Sequence, residues 1–217
     1  MKVKVCGITN IEDARMVLSH ARVHAIGFII NVPVDTPRKI SLEKAASIVE
    51  GLGEGTRKIV AVMMPSRMKE VEEVYEVLKP DAFQFHGKET PLFIARVRNT
   101  LGVEVIKTIH VSSEGEVDWE YIDEVSDVAD YLLLDTKADG RVGGTGIPHD
   151  WNLSLRVKEK TGKRIILSGG LSKDNVVEAV KKVGPHWIDV SSSLEHAPGR
   201  KDPVKVSEFL EALKDAR

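Results

Sequence analysis

The only cysteine of the 217-residue chain, Cys6, lies in the sequence KVCGIT, where an apolar segment runs into a glycine and a polar turn. A lone cysteine is most often a small buried hydrophobic side chain. As a thiolate it can instead act as a base, provided that a nearby cation or a helix N-terminus lowers its pKa. Its place at the end of a predicted strand favours this second role, because ligands bind at the carboxyl ends of parallel strands.

A carboxyl group suited to act as the partner acid follows another apolar segment. Asp135 ends the predicted strand Tyr131–Leu134 in the sequence YLLLDT. Aspartates after strands commonly cap helices or stabilise turns. Apolar surroundings would instead raise the pKa of this carboxyl and make Asp135 a general acid.

Two sequences in the last quarter of the chain are typical of an anion site. Gly169 and Gly170 lie in LSGGL, and Ser191 and Ser192 lie in DVSSSLE. Glycine lets backbone N–H groups approach a phosphate closely, and neighbouring hydroxyl groups supply further donors. A glycine pair alone is equally consistent with a tight turn. Together with the serines of the next strand it predicts a phosphate site, because the last two loops of (β/α)8 barrels commonly form one.

Arg38 and His86 are residues whose roles the sequence leaves open. The planar guanidinium of Arg38 matches a substrate carboxylate, and a solvated surface arginine is the alternative. His86 alternates with Gln84 on one predicted strand, so both face the same way, and we interpret His86 as a buried core residue. The scattered histidines and the single cysteine predict no metal site.

The composition is that of an ordinary globular protein. The chain has a formal net charge of −2, and 42% of its residues are hydrophobic. The near-neutral charge argues against general nucleic-acid binding, which needs a basic surface. No apolar run approaches the roughly 20 residues of a membrane span, and one cysteine makes no internal disulfide. We therefore expect a cytoplasmic protein that binds neither nucleic acid nor membrane.

Eight short segments, rich in β-branched residues and bounded by glycine, proline or polar clusters, predict buried parallel strands. Helical patterns lie between them, and Met68–Leu78 places apolar residues on one face and charged residues on the other. Further predicted helices begin at Ser41, Asn175 and Asp202. The predicted strands are Val3–Ile8, Ala25–Ile30, Lys58–Met64, Ala82–Phe85, Val103–Ile109, Tyr131–Leu134, Arg164–Leu167 and Trp187–Val190.

This alternation predicts an α/β fold, a closed (β/α)8 TIM barrel with a parallel eight-stranded sheet and outer helices. The chain is short for this fold, so its loops must also be short. No linker or low-complexity stretch interrupts it, so we expect a single domain over residues 1–217. An open doubly wound sheet is the alternative, weakened because no G-x-G-x-x-G follows the first strand.

Six sequence motifs occur along the chain in a fixed order. They are KVCGIT around Cys6, FQFHG around Gln84–Gly87, LLLDT around Asp135, GGTG…DW at Gly143–Trp151, LSGGL around Gly169, and DVSSSLE…PGRKD at Asp189–Asp202. In this order they resemble the signatures of the phosphoribosylanthranilate isomerase family of tryptophan biosynthesis. The resemblance covers nearly the whole chain, and the first and last motifs are the specific ones.

The resemblance implies an Amadori rearrangement of N-(5-phosphoribosyl)anthranilate to 1-(2-carboxyphenylamino)-1-deoxyribulose 5-phosphate. It implies Cys6 as the general base, Asp135 as the general acid and Arg38 as the contact to the anthranilate. The sugar ring oxygen must gain a proton and the second carbon must lose one, and neither step needs a cofactor or metal. The expected partner is this small phosphosugar, bound by a monomer or a homodimer.

The chain departs from the family pattern at three places. Ser193 stands where glycine is usual, and serine would cost about 1 kcal/mol if the backbone there needs a positive φ. Loop 31–38, which carries Arg38, lacks the usual aromatic residues. His149 replaces the usual aromatic residue after Gly143–Gly146, a segment that is either a mobile lid or a connector.

Two other functions are consistent with much of this pattern. The Amadori isomerase of histidine biosynthesis shares the barrel, but that family resembles two half-barrels and uses two aspartates. A non-catalytic phosphosugar-binding barrel would keep the anion site and lose the acid–base pair. The presence of both Cys6 and Asp135, without a visible half-chain repeat, favours the isomerase of tryptophan biosynthesis.

Two charged residues are predicted to pair inside the barrel. Lys4 lies two residues before Cys6 and Asp189 lies two before Ser191, so both face the same side as the predicted site residues. The first and eighth strands of a closed barrel are neighbours, which brings Lys4 and Asp189 together. Because a buried charge needs a partner, we expect an ion pair, with Lys4 also lowering the Cys6 pKa.

Overall fold

The computed structural model describes residues 1–53, 55, 57–112, 116–138, 141–142 and 149–216, with the backbone alone at 137, 138, 141 and 142. Its strands alternate with helices along the described chain. The strands are β1 (Lys2–Cys6), β2 (Val23–Ile29), β3 (Lys58–Met63), β4 (Ala82–Phe85), β5 (Glu104–Ser112), β6 (Tyr131–Ala138), β7 (Arg141–Val142), β8 (Arg164–Leu167), β9 (Trp187–Val190), β10 (Glu195–Ala197) and β11 (Arg200–Lys201).

Eight of these strands form a closed parallel barrel. Neighbours pair in the order β1, β2, β3, β4, β5, β6, β8, β9, and β9 pairs with β1 to complete the circle. β7 runs antiparallel to the end of β6, and β10 and β11 form a separate hairpin. The predicted (β/α)8 barrel is therefore confirmed, and the unbroken circle of strand pairings excludes the open sheet.

The helices follow the strands and begin at recognisable caps. Ser41, Asp150 and Asp202 each accept a backbone hydrogen bond at the start of their helices, as expected of N-cap residues. Asn175 precedes a helix without capping it. The helices are α1 (Ile11–Leu18), α2 (Leu42–Leu52), α3 (Met68–Leu78), α4 (Pro91–Leu101), α5 (Trp119–Val128), α6 (Trp151–Thr161), α7 (Val176–Val183) and α8 (Pro203–Ala212).

Alternation along the strands divides the core into two layers. Side chains such as Ile26 and Phe83 point outward and pack against the helices. Side chains such as Ala25, Ile106 and Leu133 point inward and fill the barrel. In the described part of the chain, no helix is long and apolar enough to cross a membrane.

β5 and β6 are longer than the apolar pattern predicts. They pair continuously from Ile106 opposite Tyr131 to Ser112 opposite Lys137, three residues beyond the predicted end of the fifth strand. Polar residues interrupt this extension, so a search for apolar runs does not find it. Asp135 consequently lies within β6 rather than at its end, and the paired backbone holds it rigidly.

Candidate active site

A cleft opens at the carboxyl ends of the barrel strands. All seven residues that the sequence predicts for the site line this cleft. They are Cys6, Arg38, Asp135, Gly169, Gly170, Ser191 and Ser192. Ligand sites of (β/α)8 barrels lie at this face, so the structure brings the predicted residues to the expected place.

A buried ion pair forms the floor beneath Cys6. Lys4 Nζ lies 2.8 Å from Asp189 Oδ1, and their side chains are 0% and 7% exposed. The two residues are directly opposite in the β1–β9 pairing, which confirms the predicted Lys4–Asp189 pair. Gly27 of β2 leaves room beside them, because a Cβ there would lie 3.0 Å from Cys6 Sγ and 3.1 Å from Lys4 Nζ.

The thiol of Cys6 is protonated at rest. Burial raises its pKa, the charge of Lys4 lowers it, and the charge of Asp189 raises it again. The net shift is upward, so Lys4 lowers the pKa as expected, but the expectation that it brings the pKa below that of an ordinary thiol is wrong. Sequence alternation finds Lys4 but does not weigh its charge against the cost of removing a thiolate from water.

The carboxyl of Asp135 has a pKa close to neutrality. Burial raises this pKa to about 7, and the negative charge of Asp189 acts in the same direction. A hydrogen bond from the Thr136 backbone and one from the Ser168 side chain oppose the rise without cancelling it. The apolar surroundings predicted for this carboxyl are thus present and have the predicted effect on its pKa.

His86 lies at the mouth of the barrel beside Asp135. Its Nε2 is 3.8 Å from Asp135 Oδ2, and its buried Nδ1 has no hydrogen-bond partner among the described residues. Burial, followed by the charges of His110 and Lys107, lowers the His86 pKa to about 3, so the ring is neutral. The interpretation of His86 as a satisfied core residue is wrong, because β4 ends at Phe85 and leaves the next side chain in the cleft.

Among the described residues, His86, His110 and Asp135 form a group that could hold a metal ion. Their ligand atoms lie within 4.8 Å of one another. The 3.8 Å between His86 Nε2 and Asp135 Oδ2 exceeds the roughly 3.4 Å between neighbouring ligands of tetrahedral zinc. His110 Nε2 already donates to the His86 carbonyl at 2.9 Å. To bind zinc, His86 and Asp135 would have to move closer together, and His110 would have to release the carbonyl or use its other ring nitrogen.

The glycine pair after β8 forms a turn with positive φ values, which glycine adopts without strain and other residues do not. Gly169 and Gly170 have φ values of 82° and 64°. A Cβ on Gly169 would lie 2.3 Å from Thr136 Oγ1, so a larger residue would not fit. Asn175 donates to the Gly170 carbonyl at 2.9 Å and accepts from the Ser172 N–H at 2.8 Å. Its side chain holds this turn, which is why it does not cap α7.

The serines after β9 lie on the strand next to this turn, because β9 pairs with β8. Ser191 Oγ donates to the Cys6 carbonyl at 3.0 Å and so ties β9 to β1. Ser193 lies in a short 3-10 helix, Ser192–Leu194, and does not have a positive φ. The predicted strain at Ser193 is therefore absent. Its buried hydroxyl has no hydrogen-bond partner among the described residues and is available to a ligand.

Arg38 reaches the cleft from the loop after β2 and is held by a carboxylate that the sequence analysis did not single out. Its Nε and Nη2 donate to Glu195 Oε1 and Oε2 at 2.9 and 2.7 Å. Lys201 Nζ lies 2.9 Å from the same Glu195 Oε1. The charged residues Glu195 and Lys201 follow the serines in the last motif, and this was the signal available in the sequence.

His149 lies behind the glycine turn, to which Thr136 connects it. Its Nδ1 is 3.0 Å from Thr136 Oγ1 and its Nε2 is 2.6 Å from Ser154 Oγ, so both ring nitrogens have partners. Burial lowers its pKa to about 4, which keeps the ring neutral. This histidine therefore fills the place of the usual aromatic residue as a buried polar link. The predicted lid, Gly143–Gly146, lies outside the described residues.

The fold and the cleft define a (β/α)8 barrel with titratable groups and a glycine turn at the carboxyl ends of its strands, the arrangement typical of enzymes of this fold. A family profile described as N-(5'-phosphoribosyl)anthranilate isomerase matches residues 3–212. The chain belongs to this family and is an aldose–ketose isomerase.

Named relatives and solved structures agree with this assignment. The N-(5'-phosphoribosyl)anthranilate isomerase of Methanocaldococcus jannaschii is 44% identical, over 99% of this chain and 97% of its own. The solved isomerase of Thermus thermophilus is 32% identical with a TM-score of 0.84, covering 100% of both chains. Another isomerase, solved with reduced 1-(o-carboxyphenylamino)-1-deoxyribulose 5-phosphate, is 31% identical with a TM-score of 0.81 over 99% and 98% of the two chains.

Proposed function

We infer that the chain catalyses the Amadori rearrangement of N-(5-phosphoribosyl)anthranilate to 1-(2-carboxyphenylamino)-1-deoxyribulose 5-phosphate, a step of tryptophan biosynthesis. The observation that carries this inference is a buried thiol and a buried carboxyl, both with raised pKa values, on one cleft beside a glycine turn. Family membership supplies the substrate. A non-catalytic binding barrel would have no use for the thiol and the carboxyl together.

Asp135 is the proposed general acid. With a pKa of about 7, roughly half of these carboxyls carry a proton at neutral pH. A protonated carboxyl donates to the ring oxygen of the ribosyl group as the bond from that oxygen to the first carbon breaks. The positive charge that results is shared with the anthranilate nitrogen. An aspartate with an ordinary pKa of about 3.9 would be ionised and unable to donate.

Cys6 is the proposed general base. Its thiolate takes the proton from the second carbon of the sugar, which the adjacent cationic imine has made acidic. The electron pair of the broken bond then neutralises the imine and leaves an enaminol, which becomes the ketone as the first carbon gains a proton and the hydroxyl loses one. Because burial raises the thiol pKa, the thiolate is a minor species, and the neighbouring Lys4 is the charge that stabilises it.

The turn of Gly169 and Gly170 and the backbone around Ser191 and Ser192 are the proposed phosphate site. The positive φ values of the glycines let consecutive N–H groups point to one side, as in anion-binding turns. The partner-free hydroxyl of Ser193 adds a buried donor. The Ser191 hydroxyl itself is already engaged with the Cys6 carbonyl, so this residue would contribute through its backbone.

Arg38 is the proposed contact to the anthranilate carboxylate. Its guanidinium lines the same cleft as Cys6 and Asp135 and matches a carboxylate in shape and charge. This arrangement would place the aromatic ring at the loop after β2 and the phosphate at the loops after β8 and β9. The reacting carbons would then lie between them.

The proposed partner is accordingly a small phosphosugar that bears an anthranilate group. We also propose a cytoplasmic location, because a single cysteine needs no oxidising compartment. A monomer and a homodimer are both compatible with the chain, and a related isomerase of Thermotoga maritima is described as dimeric. Sedimentation of the purified protein distinguishes the two states.

Addition of the purified protein to N-(5-phosphoribosyl)anthranilate tests the function. We expect the fluorescence of the substrate to fall with saturation kinetics, and inorganic phosphate to inhibit competitively at the proposed anion site. Wild-type protein that gives no turnover would contradict the function. Turnover that phosphate does not inhibit would contradict the anion site alone.

A further inference from the structure

We propose that Glu195 is a positioning residue that orients the Arg38 guanidinium and thereby selects ligands that carry an aryl carboxylate. Glu195 begins β10 and is not among the residues that line the cleft. The proposal rests on the contact proposed above between Arg38 and the anthranilate carboxylate. Glu195 is the residue that gives this contact its direction.

Two hydrogen bonds fix the guanidinium before any ligand arrives. They join Arg38 Nε to Glu195 Oε1 and Arg38 Nη2 to Glu195 Oε2, at 2.9 and 2.7 Å. The Glu195 side chain is 4% exposed, whereas that of Arg38 is 19% exposed. A bidentate pair of this kind sets both the position and the plane of the guanidinium. Arg38 is therefore held in one orientation at the cleft.

The geometry also selects the edge of Arg38 that a ligand can use. A guanidinium has one edge formed by Nε with a terminal nitrogen, and another formed by its two terminal nitrogens. Glu195 occupies the edge formed by Nε and Nη2. The edge formed by Nη1 and Nη2, at the tip of the side chain, is left for a ligand. A substrate carboxylate must therefore approach end-on, which fixes the direction of its aromatic ring.

The charges around Glu195 favour an anionic ligand. Lys201 Nζ lies 2.9 Å from Glu195 Oε1, so two cations share this carboxylate. Burial raises the Glu195 pKa, but the hydrogen bonds from Arg38 and the charge of Lys201 outweigh burial and keep it ionised. The nearby Asp13 carboxylate accepts from the Lys201 backbone N–H at 2.9 Å rather than from either cation. Lys205 adds a third cation, since its Nζ donates to the Glu195 carbonyl at 2.7 Å. With three cations and two carboxylates in the cluster, one positive charge is left for the ligand carboxylate to balance.

A purely structural role for Glu195 would have a different consequence. Its Oε2 also accepts from the Gly199 N–H at 3.2 Å, and its carbonyl accepts from Lys205, so its loss could loosen the β10–β11 hairpin. Lys201 of this hairpin contacts Ser191, beside the proposed phosphate site. A loosened hairpin would therefore weaken every phosphorylated ligand, with or without a carboxylate.

The test compares two reduced product analogues that differ only in the aryl carboxylate. Their Kd values are measured by calorimetry for the wild-type protein and for Glu195→Gln. We expect the Kd of the carboxylated analogue to rise about tenfold or more in the variant, and the Kd of the analogue without the carboxylate to rise less than about twofold. In turnover, the loss should appear in KM more than in kcat, because the contact binds substrate and transition state alike.

Glu208→Gln is the matched control. It removes the charge of a carboxylate from another ion pair, 2.8 Å from Lys173, whose side chains are about half exposed. We expect this control to leave both Kd values unchanged. Glu195→Asp keeps the charge on a shorter side chain, so its discrimination should be intermediate, and it carries the test if Glu195→Gln does not fold.

Equal weakening of both analogues by Glu195→Gln, or no weakening of either, would overturn the positioning role. Wild-type protein that binds both analogues equally would remove the Arg38 contact and this proposal with it. If that protein still turned over its substrate, the isomerase function would stand.

Discussion

Lys4 and Lys107 are both fully buried beside a carboxylate, yet they lie on opposite faces of the barrel wall. Lys4 points into the barrel, pairs with Asp189 at 2.8 Å and adjoins the thiol of Cys6. Burial lowers its pKa, but the charges of Asp189 and Cys6 outweigh burial, and the net shift is upward. This pair acts directly on the pKa values of the proposed catalytic groups.

Lys107 points outward, between the sheet and the helices. Its Nζ lies 3.0 Å from Glu89 Oε2, as an ion pair, and donates to the carbonyls of Phe85 and Gly87 at 3.0 and 2.7 Å. Burial lowers its pKa more than Glu89 raises it. Lys107 thus fixes the loop after β4, which carries His86, through backbone contacts. Two similar ion pairs therefore serve different ends because of the face of the strand that each occupies.

The largest loss of stability is expected from Asp189→Asn. This change leaves Lys4 charged and without its carboxylate, which should cost about 3–5 kcal/mol of unfolding free energy. It should also lower the pKa values of Cys6 and Asp135, because the Asp189 charge raises both. Both limbs of the pH profile of kcat/KM should shift to lower pH. Unchanged stability together with an unchanged profile would refute this account of Lys4 and Asp189, the inner pair.

Asp135→Asn should stabilise the protein at high pH while removing activity. The native carboxyl keeps its proton up to about pH 7, whereas in the unfolded chain it ionises near pH 3.9. Wild-type stability attributable to this group therefore falls as pH rises through this interval. The variant should be more stable by about 2–4 kcal/mol above pH 7 and show no such gain below pH 4. Urea denaturation at pH 4 and pH 8 measures the difference, and equal effects at the two pH values would contradict the raised pKa.

Glu89→Gln is the matched test of Lys107 and Glu89, the outer pair. The loss should be about 2–3 kcal/mol, smaller than for Asp189→Asn, because Lys107 keeps two carbonyl acceptors. The limbs of the pH profile should stay in place, since this pair does not contact Cys6 or Asp135. A shift of either limb as large as that of Asp189→Asn would erase the distinction between the two pairs.

Gly27→Ala should have the smallest effect and should fall on the inner pair alone. The added Cβ would lie 3.0 Å from Cys6 Sγ and 3.1 Å from Lys4 Nζ, so one of these flexible ends must move. We expect a loss of about 1–2 kcal/mol in stability and a reduced kcat. The control is Val77→Ala, because Val77 is exposed on α3 and its substitution leaves the barrel interior untouched. Gly53→Ala is unsuitable, because Gly53 has a positive φ. A wild-type kcat for Gly27→Ala would show that catalysis tolerates displacement of the Cys6 or Lys4 side chain.

Periodicity and composition were sufficient to predict the barrel and most of the residues that line the cleft. Alternation along β1 and β9 predicted that Lys4 and Asp189 face inward, and barrel closure made them neighbours. Apolar runs located the strands but ended the sixth at Leu134, since the pairing that extends β6 involves polar residues. The inward-facing residues and the strand positions could be predicted because alternation and apolar runs are local patterns along the chain.

The remaining features depend on distances between segments far apart in sequence. Glu195 and Arg38 pair although they are 157 positions apart in the sequence, and no local pattern predicts which carboxylate an arginine will pair with. The sign of the Cys6 pKa shift depends on whether burial raises the pKa more than the charge of Lys4 lowers it. The sequence gives the size of neither effect. His86 was taken for core because a histidine in an apolar segment usually is, but the strand ends one residue earlier.

The most direct test of the central claim, that Cys6 is the base and Asp135 the acid, is the kcat of Cys6→Ala. Removal of a general base should lower kcat by about 10²–10⁴-fold, while the Kd of a reduced product analogue changes less than about threefold. The far-ultraviolet circular dichroism of the variant should match the wild type, because Cys6 is a small buried side chain. A variant that keeps more than about a tenth of the wild-type kcat would contradict the assignment of Cys6 as the base.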